Sequence, residues 1–95
     1  MTTANHLIQR YNLTPHPEGG FYREIYRSTD IIPADALPDR YTGHRAAATL
    51  IYYLLESGQA SHFHRLQSDE IWHYYTGANM RLHIFTPDDT YLSVI

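Results

Sequence analysis

Turn-forming clusters recur roughly every ten residues through the second half of this chain. Glu56-Ser57-Gly58-Gln59, Gln67-Ser68-Asp69, Thr76-Gly77-Ala78-Asn79 and Pro87-Asp88-Asp89 each interrupt an apolar run. Glycine supplies positive φ, proline a fixed φ, and Asn, Asp and Ser bond back to their own backbone, so such clusters reverse the chain. The runs between them are too short for stable helices and are rich in β-branched and aromatic residues. Ala60–Leu66, Glu70–Tyr75, Met80–Phe85 and Thr90–Ile95 are therefore expected as strands. Short strands at this spacing build an antiparallel sandwich or barrel, which makes the chain all-β.

The first half adds a short helix and two more strands. Leu7, Ile8 and Tyr11 fall at helical spacing within Thr3–Leu13, with Thr3 or Asn5 as the N-cap. Two prolines and two glycines in Thr14–Gly20 stop that helix. Phe21–Arg27 alternates as a strand, with Phe21, Arg23, Ile25 and Arg27 on one side and Tyr22, Glu24 and Tyr26 on the other. Ser28–His44, with Pro33, Pro38 and several aspartates, reads as a long surface loop of the kind that often serves as a lid. Ala46–Leu55 is an apolar run whose second half favours a buried strand. With 95 residues and no linker, residues 1–95 are expected to form one domain. Tyr91–Ile95 has the pattern of a strand in progress, which suggests part of a longer natural domain.

Composition removes several function classes. There is no lysine, so Schiff-base chemistry and a lysine general base are excluded within these residues, and no cysteine, so disulfides and thiolate chemistry are excluded too. A net charge of −3 with scattered arginines gives no case for nucleic acid. No basic N-terminal region precedes an apolar run, and no stretch reaches the roughly 20 apolar residues of a bilayer span. A cytoplasmic protein that does not bind membrane is the expectation.

The chemistry concentrates in His62, His64 and Glu70. Side chains two apart on a strand point to one face, so His62 and His64 share a side. Glu70 opens the next run and reaches the same point across a hairpin. Two imidazoles and a carboxylate suit a divalent metal, or general acid–base work without one. In a regular strand Trp72 and Tyr74 lie on the face of Glu70, an apolar setting that raises a carboxyl pKa. His73 falls on the opposite face and is expected to serve packing.

The spacing of Gly58, His62, His64, Glu70 and Gly77 resembles the first motif of the cupins, with a shorter Gly–His and a longer His–Glu interval. The fuller strings are more specific: His16-Pro17-Glu18-Gly19-Gly20-Phe21-Tyr22-Arg23-Glu24, Ile51-Tyr52-Tyr53-Leu54-Leu55, and Ser61-His62-Phe63-His64-Arg65-Leu66-Gln67-Ser68-Asp69-Glu70-Ile71-Trp72-His73-Tyr74-Tyr75-Thr76-Gly77. Together they resemble the cupin_5 or DUF985 family, whose fold is similar to that of the deoxysugar epimerase of rhamnose synthesis.

The resemblance implies a double-stranded β-helix, or jelly roll, incomplete at its C-terminus here, with a ligand pocket inside the barrel and a homodimeric state. It implies a small-molecule ligand, and Glu18, Tyr22, Arg23 and Glu24 as candidates to line the mouth. Two functions follow from the residues and the resemblance together. One is an epimerase or isomerase acting on a carbohydrate or nucleotide sugar. His64 is then the base, Glu70 its partner, Arg65 or Arg23 the anchor for an anionic group, and Trp72 and Tyr74 stacking surfaces. The other is a binding or sensor protein without chemistry. A metal-dependent cupin enzyme, with zinc, nickel or manganese on His62, His64 and Glu70, is a further option.

Overall fold

The computed structural model describes residues 3–88 and 90–95. Helix α1 runs from Ala4 to Tyr11, and the Thr3 hydroxyl accepts the His6 N–H at 3.2 Å as its N-cap. Asn12 ends the helix in the left-handed conformation at φ 53, a position that Asn tolerates better than most residues. The Leu13 N–H then donates to the Ile8 carbonyl at 2.9 Å. Leu13 is the buried hydrophobic residue of the chain among the described residues.

Strands β1 (Thr14–Pro15), β2 (Phe21–Arg27) and β5 (Thr49–Leu54) form an antiparallel sheet in the order β1-β2-β5. Pro15 lies in the edge strand, where its missing N–H costs nothing. β2 has the residues expected of it, but the strict alternation fails. Glu24 pairs with Ile51 and Tyr26 with Leu50, so Ile25 is an extra residue in a β-bulge. A bulge inverts the phase of everything after it. Tyr26 therefore joins the side of Phe21 and Arg23, and Arg27 joins Tyr22 and Glu24, the reverse of the expected assignment for both. The Arg27–Glu24 ion pair at 2.7 Å, which raises the Arg27 pKa, reports the same inversion.

The expected loop Ser28–His44 contains more structure than its prolines suggest. β3 (Ile31–Ile32) pairs with β4 (Arg45–Ala46), and a single 3₁₀ turn covers Ala34–Ala36. The apolar run 46–55 is split, because Ala47 and Ala48 turn aside to bond Asp30 and Ser28 at 2.9 and 2.8 Å. β6 (Leu82–Phe85) and β7 (Tyr91–Val94) make a hairpin in the register Leu82↔Val94 to Phe85↔Tyr91. Its turn is fastened by the Thr86 hydroxyl, which donates to Asp88, and by the Thr90 N–H, which donates to Thr86 Oγ1 at 3.1 Å. Thr86, and after it Thr90, hold the Asp88 carboxyl below the usual carboxylate range. Asp89 of that turn lies outside the described residues.

The expected strands Ala60–Leu66 and Glu70–Tyr75 are not formed. A strand exists only as part of a ladder. Among the described residues, the backbone bond from this stretch to another segment is the His62 N–H to the Glu18 carbonyl at 2.7 Å. The three small antiparallel sheets accordingly do not close into a barrel. The radius of gyration is 15.5 Å, against about 12 Å for a close-packed chain of this length. The result is a mostly β, open architecture with one short helix.

Candidate functional site

Glycine chemistry builds the first part of the site. Gly19 and Gly20 have φ of 108° and 79°, in the left-handed half of φ space that favours glycine. They let the loop after β1 turn sharply enough for the His16 N–H to reach the Gly20 carbonyl at 2.8 Å. The loop then lies directly against the following histidine segment. A Cβ on Gly19 would stand 2.3 Å from the Ala60 carbonyl oxygen, and one on Gly20 2.7 Å from that of Leu54. Close approach is what places Glu18 beside His62, whose N–H its carbonyl accepts.

An aromatic cluster grows from this loop. Register puts Tyr22 of β2 directly opposite Tyr53 of β5, on one face of the sheet. The His16 ring meets both edge-on, at 4.7 and 5.3 Å between centroids. Tyr53 donates its hydroxyl to the Gly19 carbonyl and meets Trp72 edge-on at 5.8 Å. Edge-to-face pairs of this kind add about 0.5–1.5 kcal/mol each beyond their buried area. His16 Nδ1 accepts the Glu18 N–H at 2.9 Å, so the ring proton of the uncharged imidazole sits on Nε2. His16 was not among the expected site residues. Its place beside Pro17-Glu18-Gly19-Gly20 was the available signal, but its partner Tyr53 lies far away in sequence.

The expected residues divide into groups. Glu18, Tyr22 and Trp72 belong to the His16–Tyr53 cluster through the contacts above. Arg23 projects from the other face of β2, where its guanidinium donates to the Tyr11 carbonyl at 3.4 Å and Tyr11 meets Tyr52 edge-on at 5.1 Å. It therefore ties helix to sheet. His64 is exposed, and its Nδ1 lies 2.9 Å from the His62 carbonyl. A carbonyl only accepts, so this contact places the proton on Nδ1 and the lone pair on Nε2. Glu70 and Arg65 are exposed, so the apolar surroundings expected around the Glu70 carboxyl are absent. Tyr74 is exposed and donates to the Gly77 carbonyl.

Among the described residues, no three His, Asp or Glu side chains come together to hold a metal ion. His62, His64 and Glu70 as placed do not fit one.

Two hollows adjoin these groups. One of 410 Å³ is lined by Trp72, His73, Tyr74, Asn79, Met80 and Leu82, together with Val94 and Ile95. That is within the roughly 300–1,000 Å³ of small-molecule sites. It also brings His73, expected to serve packing alone, to the wall of a hollow. The other is a trough of 3410 Å³ fronted by His62, His64, Arg65, Glu70, Trp72 and Tyr74 among many others. It is several times too large to enclose one ligand, and is an open surface.

No helix among the described residues is long and apolar enough to cross a membrane. A search of curated proteins finds no match to the chain. Residues 5–95 match the family described as Cupin_5, Cupin superfamily (DUF985), and the chain belongs to that family.

Proposed function

We propose that the chain binds a small polar molecule bearing a ring, a carbohydrate or a nucleotide sugar, against Trp72. The supporting observation is the position of Trp72 itself. It edges the His16–Tyr22–Tyr53 cluster at Tyr53 and also lines the hollow of 410 Å³. An indole beside a half-open hollow offers a flat apolar face with polar groups at its rim, the usual make-up of a sugar or nucleobase site. Trp72 is the single tryptophan, so its fluorescence reports on that hollow alone. Titration with UDP-glucose should quench or shift the emission in a saturable way, and Met80→Ala should weaken the response by loosening the wall. A response that never saturates removes the binding reading.

The chemistry proposed is epimerisation or isomerisation. On a keto sugar, His64 Nε2 takes the proton from the carbon beside the carbonyl, and the C–H electron pair moves onto the carbonyl oxygen as an enolate. A proton delivered to the opposite face by a second group or by solvent restores the carbonyl with inverted configuration. Glu70 is the carboxylate proposed to steady the imidazolium, and Arg65 holds an anionic group of the substrate. Support comes from the His62 carbonyl, which leaves Nε2 as the nitrogen able to accept a proton. The competing reading is a binding protein without chemistry. It is favoured by the absence, among the described residues, of any carboxylate bonded to the His64 ring.

A second copy of the chain is the partner proposed for the open side. The accessible surface is 8097 Å², about 2,400 Å² more than the roughly 5,700 Å² of a folded monomer of 11.1 kDa. A standard interface buries about 1,600 Å² in total. Phe63, Ile71 and Ile95 stand 68%, 79% and 75% exposed, and among the described residues β7 pairs on one edge only. Unpaired apolar edges recruit another strand. Sedimentation velocity should show a dimer or larger species, with strand exchange between copies as one route to it. A monomer at all concentrations with a cooperative melt overturns the proposal.

A further inference from the structure

The loop between the 3₁₀ turn and β5 carries two guanidiniums packed on one phenol ring. Arg40 Cζ lies 4.9 Å and Arg45 Cζ 5.2 Å from the centroid of Tyr41. The ring is anchored at its far end. The Tyr41 hydroxyl donates to the Gln67 carbonyl at 2.7 Å and is also hydrogen-bonded to the Ser68 hydroxyl, while Arg40 Nε donates to the same Gln67 carbonyl at 2.8 Å. These contacts join segments 26 and 27 residues apart. They clasp the loop onto the turn that separates His64 from Glu70.

Fastening the loop explains Tyr41 and one nitrogen of Arg40, but not the remaining donors. Among the described residues neither arginine has a carboxylate within 4.0 Å, Asp39 next to Arg40 included, and Arg45 makes no side-chain hydrogen bond. Two positive charges held near one ring repel each other, and an arginine fork with free N–H groups is shaped for a planar or tetrahedral oxyanion. Arg45 belongs to β4, where pairing of Ile32 with Arg45 fixes its backbone. Arg40 is fixed by its bond to Gln67. The Arg40 fork is thus held before any ligand arrives, which lowers the cost of binding, while the Arg45 guanidinium rests on the Tyr41 ring with all its N–H groups free among the described residues.

We propose that Arg40 and Arg45, held against the Tyr41 ring, form a binding site for a phosphoryl group at the Gln67–Ser68 turn. Two guanidiniums match the charge of a phosphate dianion, and the stacked ring limits the rotamers each fork can take. The phenol fits this electrostatic picture. The Ser68 hydrogen bond first, and then Arg40 and Arg45, lower the Tyr41 pKa against the opposing effect of burial. The site does not depend on His64 or on the hollow beside Trp72, so it stands or falls separately from the function proposed above.

The test is a titration of the protein with inorganic phosphate at constant ionic strength, followed at the arginine Nε–H resonances by NMR. The Arg40 and Arg45 signals should move along one saturable curve, while that of Arg10 on α1 stays in place. Arg45→Gln should weaken binding about tenfold or more, as expected for the loss of one charge-assisted pair. Arg45→Lys, which keeps the charge and loses the fork, should fall between the two and covers the case in which Arg45→Gln fails to fold. Shifts that grow linearly with phosphate, that sodium chloride reproduces, or that survive both substitutions overturn the site.

Discussion

Gly19→Ala should release the histidine segment from the loop that holds it. The new methyl group meets two obstacles at once. At φ 108° an L-residue is strained, which costs roughly 1–3 kcal/mol, and its Cβ would lie 2.3 Å from the Ala60 carbonyl oxygen. That oxygen belongs to backbone, so no side-chain rotation relieves the contact, and the Ala60–His62 stretch has to move away. The bond from the His62 N–H to the Glu18 carbonyl is then lost. The combined cost is roughly 2–4 kcal/mol. The denaturation midpoint should fall, and hydrogen exchange at the His62 amide should accelerate by about tenfold or more.

Two other glycines separate the contributions. Gly58 has φ 83° and open space around it, so Gly58→Ala should carry the conformational cost alone. Gly43 has neither a positive φ nor a neighbour within 4 Å, and Gly43→Ala should be close to neutral or slightly stabilising. Equal effects at Gly19 and Gly43 would show that the loop does not hold the histidine segment at all.

His64→Gln should abolish proton transfer at a sugar substrate while leaving the molecule bound. Glutamine keeps much of the size and hydrogen-bonding capacity of histidine but has no nitrogen that accepts a proton near neutral pH. Losing a general base typically costs about 10²–10⁴-fold in rate. The measurement is solvent-deuterium incorporation at the acidic carbon of the substrate, with Trp72 fluorescence to establish that binding is retained. His6→Gln, on the exposed face of α1, is the control for loss of an imidazole as such. Unchanged exchange in His64→Gln would leave the binding-protein reading as the better one.

Features that depend on neighbours in sequence were legible from the residues. Thr3 caps α1 because its hydroxyl needs only the amide three positions on, and Asn12 stops the helix by its own tolerance of positive φ. The boundaries of β2 and the turn between β6 and β7 follow from local patterning in the same way. The family, too, was readable, because its motifs are strings of adjacent residues. What the residues alone determined is thus the β-rich class, the turns, the helix and the chemical inventory: imidazoles and carboxylates without lysine or thiol.

Tertiary structure decided whatever depends on a distant partner. The bulge at Ile25 appears only when β2 is laid against β5, and it moves Arg27 to the side of Glu24. The segments Ala60–Leu66 and Glu70–Tyr75 have strand-like sequences, but a ladder needs a second strand whose register no single segment encodes. Without that ladder, His64 and Glu70 are exposed and make no ion pair with each other among the described residues, so period two by itself does not bring them to one point. His16 joined the aromatic cluster through Tyr53, and Arg40 and Tyr41 reached Gln67, across spacings that carry no local signal. Proximity along the chain sets backbone conformation, whereas a site is made of groups brought together from far apart, and only the folded chain fixes which of them meet.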